Sequence, residues 1–236
     1  MIRIKYEGQF GNNLFQYIFA RLIAEKFGYQ LIDNLKYNPI LTNTPNKQGL
    51  IYNTNYNIIN DNYTEFPNSL QQSAYLIDGY FQRKQFYQDK ELIKSYLNYT
   101  KIQTTNKNDI CLHIRLGDYY GLNWVIHPDY YISILEKEEY DNIYLITDSP
   151  NDPYLKSLNR FNIKNISSDA ASDFYNLMSF DKIIMSNSTF SWWSMFLGNS
   201  SKIYTFKRWI ESHNYHINEL YNLDNSIPMI NKYLKE

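Results

Sequence analysis

Residues 110–119 read Ile110-Cys111-Leu112-His113-Ile114-Arg115-Leu116-Gly117-Asp118-Tyr119. The apolar run at the head has the composition of a buried strand, and the polar heptad after it sits where that strand should end. In open α/β sheets, ligands lie beyond the carboxyl ends of the strands. Arg115 offers a planar fork of N–H donors that can grip two phosphate or carboxylate oxygens, and Gly117 permits a sharp turn. Asp118 could orient Arg115 or hold a hydroxyl, and His113 could donate to a phosphate. A strand-end salt bridge between Arg115 and Asp118, with no ligand, fits the same residues. The heptad alone does not choose.

Downstream, the same grammar repeats. Asp129–Glu138 has helical spacing, starts near Pro128 and should turn Tyr131, Ile134 and Leu135 inward. Asn142–Ile146 reads as a strand ending in Thr147-Asp148-Ser149-Pro150, a second polar cluster at a strand end. Pro153–Leu158 reads as a helix, Ile163–Ile166 as a short strand, Asp173–Phe180 as a helix and Lys182–Ser186 as a strand. That last strand runs into Asn187-Ser188-Thr189-Phe190-Ser191, then Trp192-Trp193-Ser194-Met195-Phe196-Leu197 and Gly198. Strand, polar turn, helix, repeated, is how parallel doubly wound sheets are written. Hydroxyls at the start of a helix can cap it, and together with the helix N–H groups they can hold a pyrophosphate. Trp192 and Trp193 are expected to pack between helix and sheet.

Upstream, Met1–Tyr6 alternates like a strand and runs into Gly8-Gln9-Phe10-Gly11-Asn12-Asn13-Leu14-Phe15-Gln16. Tyr17–Phe27 follows with helical spacing and stops at Gly28. Gly8 and Gly11 would bring the backbone close to a ligand at that helix start. No dinucleotide fingerprint is present, since the third glycine and the acidic residue ending the next strand are missing. Residues 34–66 read mostly as loop, with short strands at Gly49–Tyr52 and Tyr56–Ile59. Ala74–Gln82 reads as a strand, Lys84–Leu97 as an amphipathic helix, and Asn98–Asn108 as a linker. The domain boundary is expected near Thr105, giving domains 1–105 and 106–236.

Composition narrows the function classes. The chain has 236 residues, 44% apolar and 20% charged, with a net charge of −1, so it reads as a soluble globular protein with no basic surface for nucleic acid or membrane. Its 17% aromatic content, including 24 Tyr, suits sugar surfaces but equally fits an AT-rich genome. A lone cysteine, Cys111, excludes a disulfide framework and a cysteine-based metal site. The N-terminus lacks the apolar core of a signal peptide, and no stretch reaches the roughly 20 apolar residues that span a bilayer. A cytoplasmic setting is the expectation.

Taken together, Gly8-Gln9-Phe10-Gly11-Asn12-Asn13-Leu14-Phe15-Gln16-Tyr17, Gly79-Tyr80-Phe81-Gln82, His113–Tyr119, Thr147-Asp148-Ser149 and Asn187–Trp193 occur in the order seen in glycosyltransferase family 11. The chain resembles an α-1,2-fucosyltransferase of that family from about Gly8 to Trp209. The resemblance implies a GT-B-like α/β fold, two Rossmann-like domains facing across a cleft. It also implies an N-terminal acceptor-side domain and a C-terminal domain holding GDP-fucose. It implies inverting transfer of L-fucose from GDP-β-L-fucose to a glycan hydroxyl, galactose O2 above all, with no metal and no cofactor.

On that pattern Arg115 binds the pyrophosphate, with Asp118 beside it as a catalytic candidate. His113, Asn187, Ser188, Thr189, Phe190 and Ser191 complete the donor cradle, Asp148 or Asp173 holds ribose or guanine, and Gly8, Gly11 and Asn12 face the site from the first domain. Asp118, Asp129 and Glu7 are the candidate general bases. The chain departs from the pattern at Leu116, where a second arginine is common, at Asn13, where Gln is usual, and at Gly8-Gln9, where a glycine pair is usual. It is also shorter than most relatives.

Other classes remain. Transfer of another deoxyhexose or hexose from a nucleotide sugar fits the same residues. A carbohydrate-binding module would explain the aromatics but not an arginine and a Ser/Thr cradle at two strand ends. An NTP hydrolase would want a Gly-Lys-Ser/Thr loop, which the sequence lacks.

Overall fold

The computed structural model describes residues 1–32, 55–97, 107–206 and 226–229. The chain divides into two compact units, Met1–Thr100 and Lys101–Glu236. The division expected near Thr105, the strand expected at Gly49–Tyr52 and most of the expected linker lie outside the described residues.

In the first unit, strands β1 (Ile2–Ile4), β2 (Leu31–Ile32), β3 (Asn57–Asn60) and β4 (Tyr75–Asp78) form one parallel sheet in the order β2-β1-β4-β3. Helix α1 begins at Phe10, not Tyr17, and runs to Phe27. The polar start costs little because buried Gln16 finds partners: its amide donates to the Gly79 carbonyl (3.1 Å) and its oxygen accepts from the Glu7 N–H (3.2 Å). The apolar face of α1 buries Leu14, Phe15 and Phe19, and the Phe19 ring stacks on Phe81 at 3.9 Å.

The single helix expected over Lys84–Leu97 is instead a 3₁₀ turn, Lys84–Phe86, followed by helix α2, Lys90–Ser95. Two features break it. Buried Tyr87 turns its hydroxyl inward to donate to the carbonyls of Phe81 (2.8 Å) and Phe15 (3.2 Å). Asp89 then restarts the helix by accepting from the Leu92 N–H at 2.9 Å.

The second unit is a six-stranded parallel sheet of β5 (Ile110–Ile114), β6 (Ile143–Thr147), β7 (Ile163–Asn165), β8 (Lys182–Ile184), β9 (Lys202–Phe206) and β10 (Ser226–Met229). The strand order is β10-β9-β8-β5-β6-β7. Helices α3 (Tyr119–Leu122), α4 (Pro128–Leu135), α5 (Ala170–Ser179) and α6 (Thr189–Leu197) and a 3₁₀ turn, Pro153–Leu158, connect them. Strands β2, β9 and β10 and helix α3 are not foreseen in the sequence, being short or lacking a clean period.

Every residue of β5 is buried, as expected of a strand covered on both faces. Helix α4 buries Tyr130, Tyr131, Ile134 and Leu135, and Trp192 and Trp193 of α6 are wholly buried. Truncating a tryptophan in such a place costs about 3–5 kcal/mol, so these rings are core and not a sugar surface. Both units are thus Rossmann-like α/β folds. In the second, the chain lays strands to one side of β5 (β6, then β7) and then crosses to the other (β8 onward). The order therefore reverses between β5 and β8, and in such sheets that reversal opens a crevice at the carboxyl ends of the two strands.

Candidate functional site

Strand β5 delivers Arg115 to one side of that crevice. The turn after it is tightly bonded: the Leu116 N–H donates to Asp148 Oδ1 at 2.9 Å, the Gly117 N–H to Ser149 Oγ at 3.3 Å, and the Tyr119 N–H to the Leu116 carbonyl at 2.8 Å. A Cβ on Gly117 would lie 2.5 Å from Asp148 Oδ2, so a larger residue here would have to displace the Asp148 carboxylate. The side chain of Leu116 is fully buried in the core with Leu112, Ile114 and Tyr130. A side chain at this position points into the core and offers a ligand nothing.

Arg115 is held by two carboxylates. Its Nε and Nη2 donate to Asp118 Oδ1 at 3.1 and 2.7 Å, and its Nη1 lies 3.1 Å from Asp148 Oδ2. The guanidinium also sits over the Tyr119 ring, 5.5 Å from its centroid. The strand-end salt bridge is therefore real. It does not exhaust the fork, which has five N–H donors and a side chain 25% exposed.

Strand β8 delivers the other side. Helix α6 starts with Ser188 as its cap, Oγ accepting from the Phe190 N–H at 3.3 Å. The donor cradle expected over residues 187–191 divides here. Ser191 is fully buried, its hydroxyl directed at the carbonyls of Ser186 (3.1 Å) and Ser188 (3.0 Å). Asn187 spends its amide on the Trp124 carbonyl (3.0 Å) and accepts from the Ser186 hydroxyl (3.2 Å). These two side chains spend their hydrogen bonds on the turn itself. Ser188 and Thr189, both buried, and half-buried Phe190 form the helix start, and the Ser188 hydroxyl also bonds the Tyr119 phenol.

His113, a donor-binding candidate in the sequence, is buried. Its ring is buried against Phe190, 5.4 Å between centroids, and its Nδ1 has no hydrogen-bond partner among the described residues. Burial, with a smaller contribution from the Arg115 charge, pushes its pKa down to about 3. Asp173 lies in the first turn of α5, accepting from the Ser168 N–H at 2.7 Å, and burial pushes its carboxyl upward. Asp148 has one oxygen on the Leu116 N–H and the other near Arg115, so it orients the fork. Asp129 pairs with His127 at the start of α4, 3.3 Å apart.

In the first unit, two motifs far apart in sequence meet. Gln82 donates to Asn12 Oδ1 at 2.9 Å, and Gln16 to the Gly79 carbonyl. Gly8 has φ 75, and a Cβ there would lie 2.1 Å from the Asn12 amide. Gly11 is buried in the first turn of α1, and its backbone is helical. Glu7 and Asp78 share Lys5, at 2.9 and 3.0 Å. Sequence reading misses Asp61, whose two oxygens accept from the Tyr80 (2.8 Å) and Phe81 (2.7 Å) N–H groups. A lone aspartate in a polar loop carries no signal of that. Among the described residues, no three His, Cys, Asp or Glu side chains are grouped to hold a metal ion, and no helix is long and apolar enough to cross a membrane.

Residues 153–223 match glycosyl transferase family 11, in agreement with the motif resemblance. No curated protein matches the chain. The crystal structure of fucosyltransferase NodZ from Bradyrhizobium is similar at 13% identity and TM-score 0.52, covering 86% of this chain and 94% of that one. Its selenomethionine form gives 12% and 0.56, covering 87% and 94%. NodZ alpha-1,6-fucosyltransferase soaked with GDP-fucose gives 12% and 0.52, with the same coverage. At this identity the likeness speaks to the fold.

Proposed function

We propose that this chain, matched over residues 153–223 by glycosyl transferase family 11, is an inverting glycosyltransferase that moves L-fucose from GDP-β-L-fucose to a glycan hydroxyl, with galactose O2 the favoured acceptor. The second unit holds the donor and the first serves the acceptor. One observation carries the reading: the Arg115 fork and the start of α6 flank the strand reversal between β5 and β8. A helix N-terminus and a guanidinium on two sides of one crevice make a site for a pyrophosphate.

The acceptor oxygen attacks the anomeric carbon as the bond to the β-phosphate breaks. GDP leaves with the electron pair, inverting a β-linked donor to an α-linked product. Negative charge grows on the departing phosphate, where Arg115 and the α6 N–H groups stabilise it. Asp118 orients Arg115 through Oδ1 and is half exposed. Of the candidate bases, Asp118, Asp129 and Glu7, Asp118 is the one beside Arg115, and its other oxygen would take the hydroxyl proton. The two carboxylates on Arg115 tune it as well as hold it: they oppose an incoming anion, so the fork binds phosphate only with the helix start contributing. The resemblance to family 11 implies that no metal takes part.

The test is a thermal-shift panel of GDP, UDP and ADP in EDTA, followed by a transfer assay with GDP-fucose and galactosides. Ligand at a hundredfold over Kd stabilises by about 2.7 kcal/mol, or roughly 5–10 °C for a chain of this size. GDP alone should give that shift. Equal stabilisation by UDP, with no consumption of GDP-fucose, would sink the fucosyl reading and leave transfer from another nucleotide sugar.

A further inference from the structure

We infer that Tyr119 is a positioning residue that holds the two sides of the donor crevice in register, an inference that rests on the donor reading above. Tyr119 opens α3, directly after the Arg115 turn, and is only 8% exposed. Its ring lies beneath the Arg115 guanidinium. Its hydroxyl crosses the strand reversal and donates to the Asn187 carbonyl at 2.9 Å. Asn187 answers with its amide, which donates to the Trp124 carbonyl at 3.0 Å, and Trp124 packs edge-on against Tyr119 with centroids 5.6 Å apart.

The segment after β5 therefore grips Asn187 twice, and the next residue, Ser188, is the cap of α6. One side chain touches both the fork and the residue from which the helix start is hung. Burial pushes the phenol well above its ordinary range, so the hydroxyl stays a donor throughout the working range.

A tyrosine that merely filled the core would need no hydroxyl on this carbonyl and no cation on its face. If Tyr119 sets the spacing between fork and helix, its hydroxyl matters to the phosphates and not to the nucleoside. A misplacement of about 0.5 Å is enough to weaken a preorganised site.

The experiment measures Kd for guanosine and GDP by calorimetry, with melting temperatures, in wild type, Tyr119→Phe, Arg115→Lys, the double variant and Tyr120→Phe. Tyr120 is the control, since its hydroxyl donates to Asp152, on the loop after β6 and away from Asn187. Tyr119→Phe should reduce the preference for GDP over guanosine on the order of tenfold, with guanosine affinity changed less than about twofold. In the Arg115→Lys background the same change should have a smaller effect, because both act on one contact, and Tyr120→Phe should leave the preference intact. Tyr119→Phe lowering guanosine and GDP affinity alike, or lowering only the melting temperature, would show a packing residue and overturn the inference. A wild-type protein that binds GDP no better than guanosine would instead overturn the donor reading, and this inference with it.

Discussion

Replacing Arg115 by lysine separates the two things this residue does. The arginine makes three contacts, Nε and Nη2 to Asp118 and Nη1 near Asp148. Lysine keeps the charge but loses the planar fork that spans Asp118 and Asp148 in fixed directions. Both pairs are partly open to water, with Asp118 52% and Asp148 22% exposed, so each is worth about 0–1 kcal/mol. The stability cost should then be about 1 kcal/mol, or 2–4 °C in melting temperature. Losing the bidentate grip on a phosphate costs more, about 2–3 kcal/mol, which is roughly 30- to 150-fold in GDP affinity. Because charge on the leaving group grows in the transition state, kcat/KM for the donor should fall further, by about 10²–10³. Acceptor KM should change little. Isothermal calorimetry with GDP, steady-state kinetics and thermal unfolding on one preparation suffice. A variant that binds GDP within threefold of wild type yet melts more than about 8 °C lower would mean that Arg115 is a structural bridge and that the pyrophosphate lies elsewhere.

Two further outcomes are expected. His113 is buried, and its pKa is pushed from the ordinary 6.5 down to about 3; the unfolded chain therefore takes up a proton below pH 6.5 that the folded protein refuses. Its contribution to stability is complete above pH 6.5 and is lost as pH falls toward 3, by up to about 1.4 kcal/mol per pH unit. Urea unfolding at pH 7.5, 6 and 5 should show a flatter pH dependence in His113→Phe than in wild type, and identical slopes would contradict the neutral buried ring. Asp61→Ala should destabilise the first unit by about 2 kcal/mol, since its carboxylate holds the Tyr80 and Phe81 amides with Phe81 at φ 53. Hydrogen exchange at those two amides should quicken, and unchanged exchange would show that the turn stands without it.

The sequence by itself determined the class of fold and where chemistry could sit. Runs such as Ile110–Leu112, Ile143–Ile146 and Ile183–Met185, bounded by polar turns, read as strands buried on both faces, because a run apolar at every position cannot leave one face in water. The motifs also placed Arg115 and Ser188 at strand ends, since side-chain chemistry at a chain break is local information. Element bounds were less legible: α1 starts seven residues early because Gln16 finds its partners at Glu7 and Gly79, one of them more than sixty residues away.

Tertiary structure alone decided that β5 and β8 are neighbours and that Arg115 and α6 face one crevice. An apolar strand specifies that it is covered, not which strand covers it. The same holds for the commitment of side chains. Nothing in the string distinguishes Ser188, the cap of α6, from Ser191, tied to the Ser186 and Ser188 carbonyls. Nor does it show that position 116 faces the core or that Tyr119 reaches Asn187 across 68 residues. A hydrogen bond is spent or left over according to what lies within about 3 Å, and in a folded chain that neighbour is seldom a neighbour in sequence.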